Sequence, residues 1–295
     1  MISVSTCPSC NNSNWSDHLK CKDFTVSHET FSLKRCTTCN LIVTSPRPDD
    51  GDLSRYYQSS DYISHSSKAV TVIDKLYLAV RSFTLKWKLR LVTRHQSPSK
   101  TILDYGCGTG DFLKTCQRAG WKILGVEPSA DARAKAIQNT NGSILEQLPT
   151  DEKNKFDVIT LWHVLEHIPD LNSLISKLVS VLDKDGTLFI AVPNYESYDA
   201  TLYKQYWAGY DVPRHLWHFS RENMSNLLSK NGLQIKEVVP MKLDSFYVSM
   251  LSEKYRNNGK INLWRLVTAI ATGLKSNINA SKTGAYSSLI YIATK

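Results

Sequence analysis

A chain of 295 residues, 42% apolar and 21% charged, has the composition of a folded globular protein and not of a disordered one. No apolar run reaches the ~18 residues that a membrane span requires, and the N-terminus lacks the charged start and apolar stretch of a secretion signal, so a cytoplasmic location is expected. The formal net charge of +9 suits an anionic partner such as RNA, a nucleotide sugar or a membrane surface, and equally an ordinary basic solvated surface.

Seven cysteines, Cys7, Cys10, Cys21, Cys36, Cys39, Cys107 and Cys116, make an odd set containing two tight pairs. That pattern fits a reducing compartment and metal binding better than a disulfide framework. Cys7-Pro8-Ser9-Cys10 and Cys36-Thr37-Thr38-Cys39 are Cys-x-x-Cys knuckles with 25 residues between them. Each can place two thiolates on one ion, and together they complete a tetrahedral structural zinc site. Phe24, Val26, Phe31 and Leu33 alternate between the knuckles and predict small strands, giving a zinc ribbon over residues 1–48. Structural bracing outweighs direct nucleic-acid reading here, because Trp15, Lys20, Lys22 and Lys34 do not form a basic stripe.

Residues 49–98 read as a linker and a helical lid. Ser45-Pro46-Arg47-Pro48 blocks helix and ladder continuation. A polar, tyrosine-rich piece follows with Tyr56, Tyr57, Tyr62 and Ser64-His65-Ser66. From 68 to 95, Ile73, Leu76, Tyr77, Val80, Phe83, Trp87 and Leu91 recur at helical spacing. The other face is basic, with Lys75, Arg81, Lys86, Lys88, Arg90 and Arg94, and is either an ordinary solvated face, a lid or a peripheral membrane contact.

From Thr101 strands and helices alternate: strand 101–105, a helix closed by Gly120, strand 121–127, a helix after Ser129, strand 143–145, strand 157–161, helix 171–182 and strand 187–192. A helix from Ser220 to Lys230, strand 233–239 and a last strand 288–293 complete the pattern, which predicts an α/β fold with a parallel sheet covered on both faces. Residues 241–283 are a helical insertion expected to dock on the helix of 68–95, and the main domain is 99–240 with 284–295.

The first strand runs into Asp104-Tyr105-Gly106-Cys107-Gly108-Thr109-Gly110, and the second ends in Gly125-Val126-Glu127-Pro128. A dinucleotide fingerprint needs glycine at 111, where the chain has Asp111, so the nicotinamide reading fails. The motif that stands, acid-x-Gly-x-Gly-x-Gly with a second acid about twenty residues on, resembles that of class I S-adenosylmethionine-dependent methyltransferases. Phe156-Asp157-Val158-Ile159, Leu161 to His167 and Leu182 to Leu188 extend the resemblance over residues 100–240 and the last strand, and the block around Trp162 resembles the ubiquinone-type subgroup. The resemblance implies a Rossmann-like, doubly wound, seven-stranded and mainly parallel sheet. It also implies S-adenosylmethionine as cofactor, with Asp104 toward the methionine amino group, Gly106, Cys107, Gly108 and Gly110 under it, Glu127 and Pro128 at the ribose, Leu145 beside Ile144 at the adenine, and Trp162 and His163 near the sulfonium. Ser143 and Glu146 are poorly aligned candidates for the adenine amino group.

Methyl transfer to a hydroxyl needs in-line alignment and proton removal. His163, Glu166 and His167 fall at i, i+3 and i+4, which would place three donors on one helical face. The stretch 206–220 is rich in aromatics and carries His215 and Arg214, and it is expected to form the acceptor pocket, with His215 as base and His167 as its alternative. Asp211 and Arg214 either orient that base and an anionic acceptor or form a structural ion pair. The expected acceptor is a small molecule, glycan or lipid, most simply O-methylated. An RNA methyltransferase docking through the ribbon is the runner-up, and a non-catalytic cofactor-binding module is third. Sugar C-methyltransferases share a similar ribbon but carry a further C-terminal domain, some ribosomal RNA guanine methyltransferases also pair a ribbon with this fold, and Pro193-Asn194-Tyr195 lacks the paired prolines of base-amino DNA methyltransferases.

Overall fold

The structure is a computed structural model that describes residues 1–57, 72–95, 98–149 and 155–295, the side chains of 72–79 excepted. Tyr62, His65 and the start of the expected lid helix lie outside the described residues, as do the side chains of Ile73, Leu76 and Tyr77. Two compact units emerge, one of Met1–Ile63, Leu165–Asn172 and Ala191–Tyr291, the other of Ser64–Val164, Ser173–Ile190 and Ile292–Lys295.

In the second unit, β4 (Thr101–Tyr105), β5 (Lys122–Val126), β6 (Ser143–Leu145) and β7 (Phe156–Trp162) pair in parallel. Their residues are buried almost throughout β4 and β7, as expected of a sheet covered on both faces. A helix α1 (Val72–Thr93) lies in the stretch 68–95, and α2 (Asp111–Arg118) and α3 (Ala130–Thr140) follow β4 and β5. Ser129 caps α3, its hydroxyl accepting from Ala132 N–H. With α4 (Leu171–Val181), β8 (Leu182–Pro193), β10 (Gln234–Pro240) and β11 (Ser288–Thr294), the sheet reaches seven strands in the order β10-β11-β8-β7-β4-β5-β6. This is the expected doubly wound α/β fold. β8 begins five residues before the expected Thr187.

The first unit holds a second sheet. β1 (Trp15–Lys22), β2 (Thr30–Cys36) and β3 (Ile42–Thr44) are antiparallel, and the fourth strand, β9 (Trp217–His218), comes from far along the chain. Ile42 pairs with His218 and Val43 with Trp217. The ribbon therefore shares a sheet and a core with the 206–220 stretch, where the sequence suggested a boundary at residue 48. Phe31, Leu33, Ile42 and Tyr56 pack with Trp207, Tyr210 and Val212 in one buried cluster.

Phe24 and Val26, expected in strands, sit in the turn between β1 and β2. Asp23, fully buried, organises that turn by accepting the N–H groups of Thr25 (3.0 Å), Val26 (3.2 Å) and Ser27 (2.8 Å). A carboxylate satisfying three backbone donors competes with a strand ladder and wins locally.

Three further helices, α5 (Tyr198–Tyr203), α6 (Arg221–Lys230) and α7 (Asp244–Arg256), lead to α8 (Leu263–Thr283). α6 starts from the expected Ser220 with a complete capping box through Asn223. Within this unit α8 packs on α7 and α5, where the sequence suggested the helix of 68–95 as its partner. Among the described residues no helix is long and apolar enough to cross a membrane.

Candidate functional site

The glycine loop leaves β4 at its C-terminal end, where open α/β sheets bind ligands. Gly106 adopts φ 73°, and a Cβ there would lie 2.5 Å from Val164 Cγ2, so both backbone conformation and space demand glycine. Gly108 has φ 54° with nothing within 4 Å of a Cβ position. Its requirement is conformational, and the space above the peptide is open. Glu127 lies just past the end of β5, and its carboxylate accepts Gly108 N–H (2.8 Å) and Ser129 N–H (2.9 Å). Arg133 donates to the carbonyls of Glu127 (2.7 Å) and Pro128 (2.8 Å) and pairs with Glu146 at 3.2 Å. Glu146 is therefore held by a guanidinium. Leu145 is exposed beside buried Ile144.

Asp104 is buried on β4 and accepts Thr160 Oγ1–H at 2.6 Å. Burial pushes its carboxyl up to about 7, Thr160 and Lys88 drawing it partly back and Glu127 adding to the rise. Between the ordinary value of 3.8 and about 7 the folded state thus holds a proton that the unfolded chain has released, so stability falls as pH rises through this window. The slope is at most about 1.4 kcal/mol per pH unit. Urea titrations at pH 5 and pH 8 should show this loss in the wild type, and Asp104→Asn should remove that component. An unchanged pH slope in the variant would disprove the assignment.

Trp162 ends β7, edge-on to Phe112 at 5.4 Å, with Lys88 Nζ 4.2 Å from its ring centroid. Its buried Nε1 has no hydrogen-bond partner among the described residues. His163 follows with φ 57°, a left-handed position that interrupts the chain before the short 3-10 turn Leu165–His167. The expected single helical face of His163, Glu166 and His167 does not form.

In the first unit, Glu166 and His167 join His215 instead, their donor atoms within 4.8 Å of one another. His215 Nε2 lies 3.9 Å from Glu166 Oε1 and 4.0 Å from Asp211 Oδ2. Its Nδ1 is 2.9 Å from Gly209 O, a carbonyl that can only accept, so the proton sits on Nδ1 and Nε2 is the basic nitrogen. His167 Nδ1 likewise bonds Arg214 O at 3.0 Å and lies 3.0 Å from Tyr57 Oη. Burial, then the neighbouring His215, lowers the His167 imidazole to about 4, Glu166 and Asp211 opposing. His167 is neutral at pH 7.

The loop carrying His215 is clasped from the ribbon. Thr44 N–H donates to Leu216 O (2.9 Å) and Thr44 Oγ1–H to His215 O (2.7 Å). Arg214, 2% exposed, bonds Asp211 through Nε (2.9 Å) and Nη2 (2.6 Å), Asp23 through Nη2 (3.1 Å) and the carbonyl of Tyr56 through Nη1 (2.8 Å). Against the effect of burial, the Ser27 N–H bond, then the Arg214 charge and the Thr25 N–H bond, hold the Asp23 carboxyl well below the usual range. Arg214 and Asp211 form the structural ion pair, and Arg214 does not reach out to an anionic acceptor. The aromatics Trp207, Tyr210, Trp217 and Phe219 are buried, and Trp207 and Tyr210 line a small cavity with Phe24, Asp211, Arg214 and Tyr255. The Arg214–Asp23 clamp was invisible in the sequence because 191 positions separate the pair.

Cys7, Cys10, Cys36 and Cys39 converge, with Sγ–Sγ distances of 3.5 Å for Cys7–Cys39 and for Cys10–Cys36. Four bonds of about 2.3 Å to a tetrahedral ion would set the sulfurs ~3.8 Å apart. Backbone N–H groups of Ser9 and Cys10 bond Cys7 Sγ, and those of Thr38 and Cys39 bond Cys36 Sγ. The donor set fits zinc.

A family model described as a methyltransferase domain matches residues 78–238. The mitochondrial ubiquinone biosynthesis O-methyltransferase of Bos taurus is 31% identical over 183 residues, covering 54% of this chain and 49% of that protein. The ubiquinone biosynthesis O-methyltransferase of Glaesserella parasuis serovar 5 is 32% identical over 108 residues, 32% of this chain and 46% of that protein. The chain spans about half the length of these curated relatives. Among solved structures, magnesium protoporphyrin IX methyltransferase from Synechocystis PCC 6803 with bound SAH matches at TM-score 0.54 and 17% identity, over 83% of this chain and all of that one. At that identity the likeness is one of fold.

Proposed function

Because the chain belongs to the methyltransferase domain family, whose model covers more than half of it, we propose that it transfers a methyl group from S-adenosylmethionine to a hydroxyl of a small-molecule, glycan or lipid acceptor. The observation that carries this is the pairing of Asp104 and Glu127 around a loop whose glycines leave open space over Gly108. When bound, the sulfonium supplies an already activated methyl group. The chain's part is to hold and align. Glu127 takes the ribose diol, exchanging its contacts with Gly108 and Ser129 for charge-assisted bonds. Asp104 meets the methionine ammonium, whose charge favours the ionised carboxylate that burial opposes. Leu145 and Ile144 flank the adenine, Pro128 and Cys107 shape the turn, and Trp162 Nε1 and His163 lie toward the sulfonium end. Names of the relatives favour oxygen as the acceptor atom.

His215 is proposed as the base. Its basic Nε2 faces Glu166 and Asp211, two carboxylates that stabilise the imidazolium formed when it takes the acceptor's proton. His167, with its lowered basicity, is better suited to positioning. His215→Ala should reduce turnover by ~10²-fold or more with cofactor affinity unchanged. Unchanged turnover in single-turnover assays would remove His215 from the mechanism. The four cysteines would hold a structural zinc that takes no part in the chemistry.

The RNA reading loses support because the free edge a ribbon would offer at β3 is already paired to β9. Methyl-labelled S-adenosylmethionine supplied to cell extract separated into RNA, lipid, polysaccharide and small-molecule fractions decides the acceptor class. Label confined to RNA would overturn the proposal, and absence of label from every fraction would favour a binding module.

A further inference from the structure

α8 is built inside out. Its buried residues are the small ones, Ala269, Thr272, Gly273, Ser276 and Ala280. Gly273 comes so close to α7 that a Cβ would lie 2.7 Å from the Phe246 ring, and its carbonyl accepts Ser245 Oγ–H at 3.1 Å. Ser276 Oγ–H donates to buried Asp199 at 2.7 Å, and Arg265 pairs with buried Glu253 at 2.7 Å, fixing the rotation of the helix. The large apolar residues are left outside. Leu263 is 78% exposed, Trp264 75%, and Val267, Ile270, Leu274 and Ile278 are each half exposed or more. They recur at three- and four-residue intervals and form one stripe along the helix, the reverse of a surface helix that turns its apolar face to the core. A contiguous exposed patch of this kind marks an interaction surface.

We propose that this stripe seats α8 in the surface of an anionic lipid bilayer, the helix lying parallel to the membrane. Charge identifies the occupant. Residues 241–283 contain seven basic residues against two acidic ones, and one of those acids, Glu253, is buried and paired. α8 itself has no acidic residue, while Lys275 and Lys282 are exposed beside the stripe. A two-fold contact with a second copy would bring the same basic flank against itself, whereas anionic headgroups complement it. Trp264, apolar in body and polar at its ring nitrogen, suits the headgroup boundary. Helices with an apolar face, a basic flank and modest overall hydrophobicity lie in the interface and do not cross it, in keeping with the absence of a spanning helix among the described residues.

The full chain should co-sediment with vesicles of equimolar phosphatidylcholine and phosphatidylglycerol and bind phosphatidylcholine vesicles at least tenfold more weakly. Ile270→Glu with Leu274→Glu replaces two exposed side chains, so the thermal midpoint should hold while binding to the anionic vesicles falls by more than tenfold. Lys275→Gln with Lys282→Gln should lose about thirtyfold, each of the two lysines contributing about 1 kcal/mol near such a surface. Equal binding of the Ile270 and Leu274 variant and the wild type would overturn the proposal. So would a failure of the wild type to bind anionic vesicles, or a dimer in light scattering that the same two substitutions dissolve.

Discussion

Glu127→Ala should weaken binding of S-adenosylhomocysteine by at least ~10²-fold in calorimetric titrations, while the thermal midpoint of the ligand-free protein changes little. Two charge-assisted hydrogen bonds to a ribose diol are worth roughly 1.5–3 kcal/mol each, and ~3 kcal/mol already corresponds to ~10² in affinity. The carboxylate also spans Gly108 N–H and Ser129 N–H at 2.8 and 2.9 Å, so alanine relaxes the loop as well as removing the ligand contact. Glu127→Gln separates the two effects. The amide oxygen can still accept one backbone donor, but the charge is gone, and a loss of about tenfold is expected. If both variants bind as the wild type does, Glu127 only braces the loop and its assignment to the ribose fails.

Cys36→Ser should lower zinc from about one ion per chain to none and abolish at least ~99% of turnover, although Cys36 takes no part in the reaction. Structural zinc in small modules supplies on the order of ~10 kcal/mol, comparable with the whole stability of a typical domain at about 5–15 kcal/mol. Without it β1 to β3 have too small a core to persist alone. Their loss would free Thr44 and Asp23, which hold the backbone of His215 and Leu216 and the Arg214 side chain. Affinity for S-adenosylhomocysteine should fall by no more than a few-fold, because Asp104, the glycine loop and Glu127 belong to the other compact unit. Metal analysis, turnover and cofactor titration on the same preparation check this. A metal-free wild-type chain with full turnover would refute the clamp.

Much of the α/β part was legible in the sequence because its signals are local. Glycine loops, caps and buried parallel strands announce themselves within ten residues, and Thr101–Tyr105, Ser129 and Ser220 appear where such patterns place them. The knuckles were equally local, and their four sulfurs do converge. What was illegible depends on distant pairing. The aromatics of 206–220 suggested a pocket because a connecting loop seldom needs so many, yet Trp207 and Tyr210 are buried in one core with Phe31 and Leu33 of β2 and Ile42 of β3. The spacing of His163, Glu166 and His167 suggested one helix face. A left-handed His163 breaks that periodicity, and His215, 48 positions beyond His167, replaces it in the group.

The fourth strand of the small sheet sets an order on biosynthesis. Ribosomes deliver residues 1–48 well before residues 206–220, and Thr44 meets its partners His215 and His218 only after 171 and 174 further positions. Until then β3 has an unpaired edge, and Phe31, Leu33 and Ile42 lack the Trp207 and Tyr210 that complete their core. Contacts of such sequence separation form late and slowly. Metal capture by the two knuckles can hold the nascent N-terminus compact through this interval, when an exposed edge invites aggregation. On this view zinc availability limits the yield of soluble protein during synthesis before it limits the activity of the finished enzyme.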